Sequence, residues 1–373
     1  MNPFLIHDYV APEFFCDREN ETKNLLLNIK NGTNTTFFAQ RRIGKTALIQ
    51  HVFYILKGKK TVSLYIDIYA TQNLKEFTNQ LANAIYQVFP EKQSIGKRFW
   101  EAIKLLRPII SADEITGTPQ LSLDITQPKQ FEKTTAQLLQ FLDAQNIKVI
   151  IAIDEFQQIL NYPEKNVEAL LRTVIQSLKN VCFIFCGSNQ KMMHQLFNSA
   201  KRPFYASTKN INLQKINKTI YSNFIQLQFN KYKIKIHPDD VQLILDLTDC
   251  HTYYTQRLCH DIFALNHKTI KTELIYKTLN NILNDNENIY FQYRNLITTA
   301  QWNLLKAIAI EEKVEQPFAQ KFINKHNLGT PANVKRSLEA LVEKELIYYN
   351  ASIETPYYET SDKFLMRWMQ SKK

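Results

Sequence analysis

The chain has 373 residues, with 46 Lys and Arg against 35 Asp and Glu for a net charge of +11, and 45% of it is hydrophobic. That length exceeds one ordinary core and predicts two or three domains, and the apolar content excludes a disordered chain. The cysteines Cys16, Cys182, Cys186, Cys250 and Cys259 are odd in number and lack a C-x-x-C pair, which excludes a disulfide scaffold and a paired-cysteine zinc site. The start MNPFLIHDYV has no basic segment leading into an apolar one, and no apolar run approaches the roughly 20 residues of a membrane span. A soluble, cytoplasmic protein without signal peptide or membrane contact is expected.

In chain order, FFCDRENETKNLLLNI predicts a helix carrying Leu25, Leu26 and Ile29, with Asp17 as its N-cap. A strand over Thr35 to Phe38 then meets the loop AQRRIGKT, and Ala47, Leu48, Ile49, Val52 and Phe53 form the apolar face of the next helix. A phosphate-binding loop needs backbone N–H groups at a helix N-terminus, a flexible residue, an ammonium and a hydroxyl for a metal. Gly44, Lys45 and Thr46 supply the last three. Ala39 stands where G-x-x-x-x-G-K-[ST] begins with glycine, which is tolerable if its φ is negative or only mildly strained.

The strand TVSLYIDI ends near Asp67, and helices are predicted over Leu74 to Phe89 and Phe99 to Leu106. From Ser111 to Lys129 the turn residues Thr116, Gly117, Thr118 and Pro119 beside LSLDI suit a small hairpin or a mobile insertion. KVIIAIDEFQQI then gives a strand buried on both faces that ends in Asp154 and Glu155. Carboxylates at that place reach a phosphate-bound metal and polarise a water, although an Asp-Glu pair also suits a helix N-cap and first turn. VCFIFCG ends at Gly187, Ser188 and Asn189; Asn189 is the candidate sensor of the γ-phosphate or lytic water, with Ser188 in reserve, and turn chemistry is the alternative. A fifth strand over Lys209 to Leu213 completes an α/β pattern with a parallel sheet.

From Asn217 the chain reads as a helical lid, with Pro238 opening one helix. From about Asn295 it reads as three helices and a hairpin, the layout of a winged helix-turn-helix. TPANVKRSLEALVEKEL has Thr330 as cap, Pro331 at the first helical position and a buried stripe of Val334, Leu338 and Leu341. Asn333, Arg336, Ser337 and Lys344 are expected to face outward, the first three toward a double-stranded DNA groove; docking of a protein partner is equally open, since Glu339 and Glu343 lie nearby. From Phe291 onward 12 Lys/Arg face 9 Asp/Glu, so the positive surplus is not concentrated there. The predicted boundaries are 1–214 for the nucleotide core, 215–290 for the lid and 291–373 for the winged helix.

These stretches together resemble the prokaryotic AAA+-like P-loop ATPases of the archaeal-ATPase and STAND type, relatives of the origin-recognition and Cdc6 proteins. FFCDRENE is similar to the family's F-x-x-R-E-x-E opening, AQRRIGKT to its P-R-R-x-G-K-T loop, and IAIDEFQ and CGSNQKMM to its later strands. YYETSDKFLMRWM looks like the segment that closes these proteins, so the resemblance spans nearly the whole chain. It implies ATP and Mg²⁺ as cofactors on an ASCE-type sheet and makes Ala39 a tolerated variation. It makes Lys45 the β/γ-phosphate ligand, Thr46 and Asp154 the metal partners and Glu155 the water-activating base. Gln40, Arg41, Arg42, Ile43, Gly44 and Ala47 would surround the phosphates, and Arg18 with Glu19 would border the adenine. CHTYYTQRL takes the place of the lid sensor, with Arg257 as the residue that would approach the phosphates, while His251 and Thr252 replace parts of that motif. Ser207 stands where an arginine finger is common; Arg202 is the nearest substitute, and an ordinary surface charge is its other reading.

The expected function is a slowly hydrolysing ATPase whose ATP and ADP states set a switch, with association with DNA as a further expectation. Two alternatives stand beside it: a DNA-binding winged-helix regulator with mainly structural nucleotide, and a nucleotide switch that docks a protein partner.

Overall fold

The computed structural model describes residues 1–7, 9–89, 94–104, 107–112, 117–124, 127–351 and 354–372. They form two compact units, one made of Arg18–Gln40 and Lys45–Leu213, the other of Met1–Asp17, Arg41–Gly44 and Gln214–Lys373.

The first unit runs α1 (Glu19–Lys30), β1 (Thr35–Ala39), α2 (Lys45–Leu56), β2 (Thr61–Asp67), α3 (Leu74–Val88), α4 (Ser94–Ile103), β3 (Pro108–Ala112) and β4 (Pro119–Leu123). It continues with α5 (Pro128–Asp143), β5 (Lys148–Asp154), α6 (Val167–Ser177), β6 (Val181–Cys186), α7 (Gln190–Asn198) and β7 (Lys209–Leu213). Five strands make one parallel sheet in the order β2-β5-β6-β1-β7. Every residue of β6 is buried and so is all of β5 after Lys148, which is why both read as continuous Val, Ile and Phe runs and not as alternation. The order inserts β6 between β1, which feeds the phosphate-type loop, and β5, which ends in the carboxylates. Groups at the carboxyl end of β6 therefore sit between the two. Below them Phe156, Phe185, Phe197 and Phe204 pack ring on ring and fix the turn after β5 against α7.

The α/β class and parallel sheet match the sequence expectation, with one local difference at the start. Asp17 does not cap α1: Asp17 and Arg18 both hold positive φ, 59° and 71°, where a capping side chain needs an extended backbone, and no side-chain cap bond forms. Of the two readings for 111–129, the hairpin is the one observed, beginning earlier, at Pro108, with β3 and β4 antiparallel. Asn83 and Asn79, one turn apart on α3, accept from the Leu121 and Leu123 N–H groups at 3.0 Å each and so hold the outer edge of β4. Leu106, Thr116 and Ile125, the last residue of LSLDI, lie outside the described residues.

The second unit holds α8 (Lys218–Lys231), β8 (Lys235–Ile236), α9 (Pro238–Thr248), α10 (Thr252–Ala264), β9 (Thr269–Ile270), α11 (Thr272–Asp285) and α12 (Glu287–Leu296). It ends with α13 (Thr299–Glu311), α14 (Gln320–Lys325), α15 (Pro331–Glu343), the antiparallel pair β10 (Ile347–Asn350) and β11 (Tyr357–Thr360), and α16 (Lys363–Ser371). Thr330 caps α15 through the Asn333 N–H, with Pro331 in the first turn. Val334, Leu338 and Leu341 are buried, as expected, but Ser337 is buried as well. It lies three residues after Val334 and four before Leu341, on the same helical stripe, so its expected outward position is corrected. Among the described residues no helix is long and apolar enough to cross a membrane.

Candidate functional site

In the first unit the site starts at the first turn of α2. The buried Lys45 extends its ammonium to the carbonyl of Gln40 at 3.1 Å. Gln40 is itself buried, and among the described residues its amide nitrogen has no partner. Thr46 donates to Asp154 Oδ2 at 3.1 Å, and Ala47, half-buried, follows it. Asp154 ends β5 and is fixed at both oxygens: Oδ1 accepts the Glu155 N–H at 2.9 Å, and Oδ2 also accepts the Tyr65 hydroxyl at 2.6 Å. Burial, then the Asp154 charge, pushes the Tyr65 phenol far above its ordinary range, so Tyr65 is the donor. Asp67 is in register with Asp154 across β2 and β5; burial raises its pKa, helped by the Asp154 and Glu155 charges.

Glu155 holds a left-handed backbone, φ 54° and ψ 38°, ahead of a 3-10 turn over Phe156–Asn161, and makes no side-chain cap. Its carboxylate serves another purpose. Oε2 accepts the Ser188 hydroxyl at 2.8 Å, the Ser188 N–H at 3.2 Å and the Gln157 amide at 2.5 Å. Gly187 makes this possible, because a Cβ there would collide with the Gln157 amide and stand 2.9 Å from Met193 Sδ. Asn189 caps α7 by accepting the Met192 N–H at 3.1 Å, so the reserve residue Ser188, and not Asn189, touches Glu155. Arg202 pairs with Glu168 at 2.5 Å, and Arg18, buried, donates to Glu21 at 3.1 Å.

In the second unit the loop residues 41–44 lie against α10 and the C-terminal elements. Gly44 has φ 98°, a conformation that needs glycine. The His251 Nε2–H donates to the Arg41 carbonyl at 3.2 Å, and the Thr252 hydroxyl donates to the carbonyl of buried Ile43 at 3.0 Å. Burial, then the nearby Lys363 and Lys215 ammonium groups, holds the His251 pKa well below its ordinary value, so the ring is neutral. The Arg41 guanidinium pairs with Glu345 at 3.1 Å and the Arg42 guanidinium lies 4.6 Å from the centre of the Tyr253 ring. Arg257 is engaged by Asp261 one turn along α10 at 2.9 Å.

Of the candidates expected from sequence, the structure joins Thr46 to Asp154 and Glu155 to Ser188. The contacts of Tyr65 with Asp154 and of Gln157 with Glu155 were not among the expectations. A signal for Tyr65 exists in the strand VIIAID: Ala152, the one small residue among Val and Ile, is its register partner.

Residues 15–258 match the family described as an ATPase domain predominantly from Archaea, and residues 288–371 match one described as a probable winged helix domain. No curated protein matches the chain significantly. Among solved structures, a Walker-type ATPase of Pyrococcus abyssi is similar with TM-score 0.68 and 16% identity, covering 99% of each chain. The ORC2 protein of Aeropyrum pernix, solved as ADPNP-ADP complexes, is similar with TM-score 0.58 and 15% identity over 100% of this chain and 98% of that one. The ORC1 protein of the same organism, solved in complex with DNA, gives TM-score 0.54 and 12% identity over 100% and 96%. At such identities these likenesses establish the fold: a P-loop ATPase sheet with helical elements and a C-terminal winged helix. With the family match covering most of its length, the chain belongs to the family of ATPase domains found predominantly in Archaea.

Proposed function

We propose that the chain binds ATP with Mg²⁺, hydrolyses it slowly and uses the nucleotide state as a switch. The observation that carries this reading is the pair of carboxylates at the end of β5, one joined to the Thr46 hydroxyl and the other held by Ser188 and Gln157. The donor set fits the group. Mg²⁺ takes oxygen ligands, keeps several waters and commonly uses one or two carboxylates together with phosphates. Among the described residues no group of three His, Cys, Asp or Glu could hold a metal, so a cation at Asp154 and Thr46 depends on nucleotide oxygens. When bound, Mg²⁺ neutralises charge that develops on the phosphates.

The remaining steps belong to the chain. Lys45 exchanges the Gln40 carbonyl for phosphate oxygens, the backbone of 40–44 and Ala47 presents N–H groups to them, and Glu155 takes the proton of the attacking water. Slow turnover follows from Glu155 Oε2 already accepting three hydrogen bonds, which compete with a water for it. A switch requires that ATP and ADP favour different arrangements. The contacts of 41–44 with His251, Thr252, Tyr253 and Glu345 supply bonds that a ligand reshaping this loop alters. Arg18, Arg257, Arg202 and Asn189 keep their proposed supporting roles, with Ser188 beside Asn189 as the residue facing Glu155.

The test is paired. Lys45→Ala should abolish ATP binding, and Glu155→Gln should bind ATP normally while turnover falls by about a hundredfold or more. Unchanged turnover in Glu155→Gln sinks the assignment of the base.

DNA association is the second reading, favoured by Asn333 and Arg336, which are exposed on α15 and hydrogen-bonded to each other, and by the fold shared with an ORC1 protein solved with DNA. Arg336→Ala should weaken retention on double-stranded DNA and lower the salt slope by about 1. If the wild type shows no salt-sensitive retention, docking of a protein partner replaces this reading.

A further inference from the structure

We infer that Tyr65 is the positioning residue for the metal carboxylate: its hydroxyl, anchored on β2, holds Asp154 in the orientation that receives Mg²⁺. The inference rests on the nucleotide reading and names a residue to which that reading gives no role. Three observations carry it.

The first is register. Tyr65 lies opposite Ala152 on β5, and Asp154 is two residues further along, so Ala152 and Asp154 project to the same face. Neighbouring strands lie about 4.8 Å apart, close enough for a tyrosine ring to cross a small residue and reach its diagonal neighbour. A Val or Ile at 152, like those that fill the rest of β5, would stand in that path.

The second is the sharing of one oxygen. Asp154 Oδ2 accepts both Tyr65, at 2.6 Å, and Thr46, at 3.1 Å. The Thr46 hydroxyl is itself a proposed metal ligand, so its position follows the cation. Tyr65 sits on the sheet and does not, which makes it the fixed member of the pair. Partners of this kind orient a ligating carboxylate before the metal arrives, and losing one typically costs 10–100-fold in metal affinity.

The third is the neighbouring charge. Asp67 is in register with Asp154, and like charges on adjacent strands repel. A donor fixed on Oδ2 holds Asp154 in place against that repulsion. An ordinary buried tyrosine needs only some partner for its hydroxyl; this one is given the oxygen that Thr46 also uses.

The experiment follows binding of a fluorescent, non-hydrolysable ATP analogue to the full chain during Mg²⁺ titration, with Mn²⁺ occupancy read separately by electron paramagnetic resonance. Tyr65→Phe keeps the ring and removes the hydroxyl. Half-saturating Mg²⁺ and Mn²⁺ should rise roughly tenfold, while affinity for the analogue in EDTA stays within about twofold because Lys45 and the loop are intact. The double variant Tyr65→Phe with Asp154→Asn should lose no more metal affinity than Asp154→Asn alone, as expected when one group acts through the other. Overlapping Mg²⁺ curves for Tyr65→Phe and wild type overturn the inference, and so do additive losses in the double variant. A wild type that binds the analogue no better with Mg²⁺ than with EDTA overturns the nucleotide reading first, and this inference with it.

Discussion

The carboxylate of Glu155, the proposed base, is held by Gln157 and Ser188 next to a glycine that cannot take a side chain. At Gly187 the backbone comes so close to Gln157 that any Cβ would overlap its amide, and Met193 Sδ closes the other side at 2.9 Å. Gly187 is needed here for the close approach and not for an unusual φ. Gly187→Ala must therefore displace Gln157, whose amide donates to Glu155 Oε2 at 2.5 Å. Overpacking of this kind destabilises a fold by about 1–3 kcal/mol, and misplacing a catalytic group by an ångström costs up to a hundredfold in rate. The expected outcome is a turnover reduced at least about tenfold with nucleotide affinity nearly unchanged. Equal turnover in Gly187→Ala and wild type would show that Gln157 does not position Glu155.

Elements differ in how plainly their sequences announce them, and the difference is physical. β5 and β6 were legible because strands buried on both faces permit only apolar residues, and the polar residues that end them stand out. Lys45, Thr46, Asp154 and Glu155 share that clarity, because each sits at the boundary between an element and its loop. Helix α15 was legible in its cap and in Val334, Leu338 and Leu341, yet Ser337 was assigned outward from its polarity. Its helical position, on the stripe with Val334 and Leu341, overrides that. Tyr65 was illegible for a related reason: a tyrosine in a strand reads as apolar filling, and its partner Asp154 lies 89 positions away. The contact of Ser188 with Glu155 belongs to the same class, since it depends on β5 and β6 being neighbours, which local pattern does not state. Asp17 failed by backbone geometry, because a capping residue type is of no use at positive φ. What the sequence leaves unsaid is mainly the cross-strand pairings, and these set the orientation of the site.

At the scale of whole segments, the second unit holds a partly buried cluster of four charges drawn from distant parts of the chain. Lys215 precedes α8, Asp249 ends α9, Glu359 lies on β11 and Lys363 opens α16. Lys215 contacts Asp249 at 2.5 Å and Glu359 at 2.7 Å, and Lys363 contacts Asp249 at 3.0 Å and Glu359 at 2.8 Å. The cluster is neutral in sum, and Lys363 and Glu359 are fully buried. Burial opposes the charge on Asp249, but Lys363 and Lys215 outweigh it and hold its carboxyl well below the usual range. Burial likewise opposes the charge on Lys215, but Glu359 and Asp249 outweigh it and raise its ammonium. A depressed carboxyl stabilises above its unfolded pKa of about 4 and loses that contribution as pH falls further; a raised ammonium stabilises below about 10.4 and loses it as pH rises through the folded value. The cluster should therefore support this unit evenly across the neutral range. Removing one member leaves an uncompensated buried charge, which typically costs about 3–5 kcal/mol. Lys363→Met should destabilise by about that amount in urea unfolding, and adding Glu359→Gln should recover part of the loss, because the Lys215–Asp249 pair that remains is again neutral. A Lys363→Met midpoint equal to the wild type, or losses in the double variant that simply add, would mean that these charges do not act as one unit.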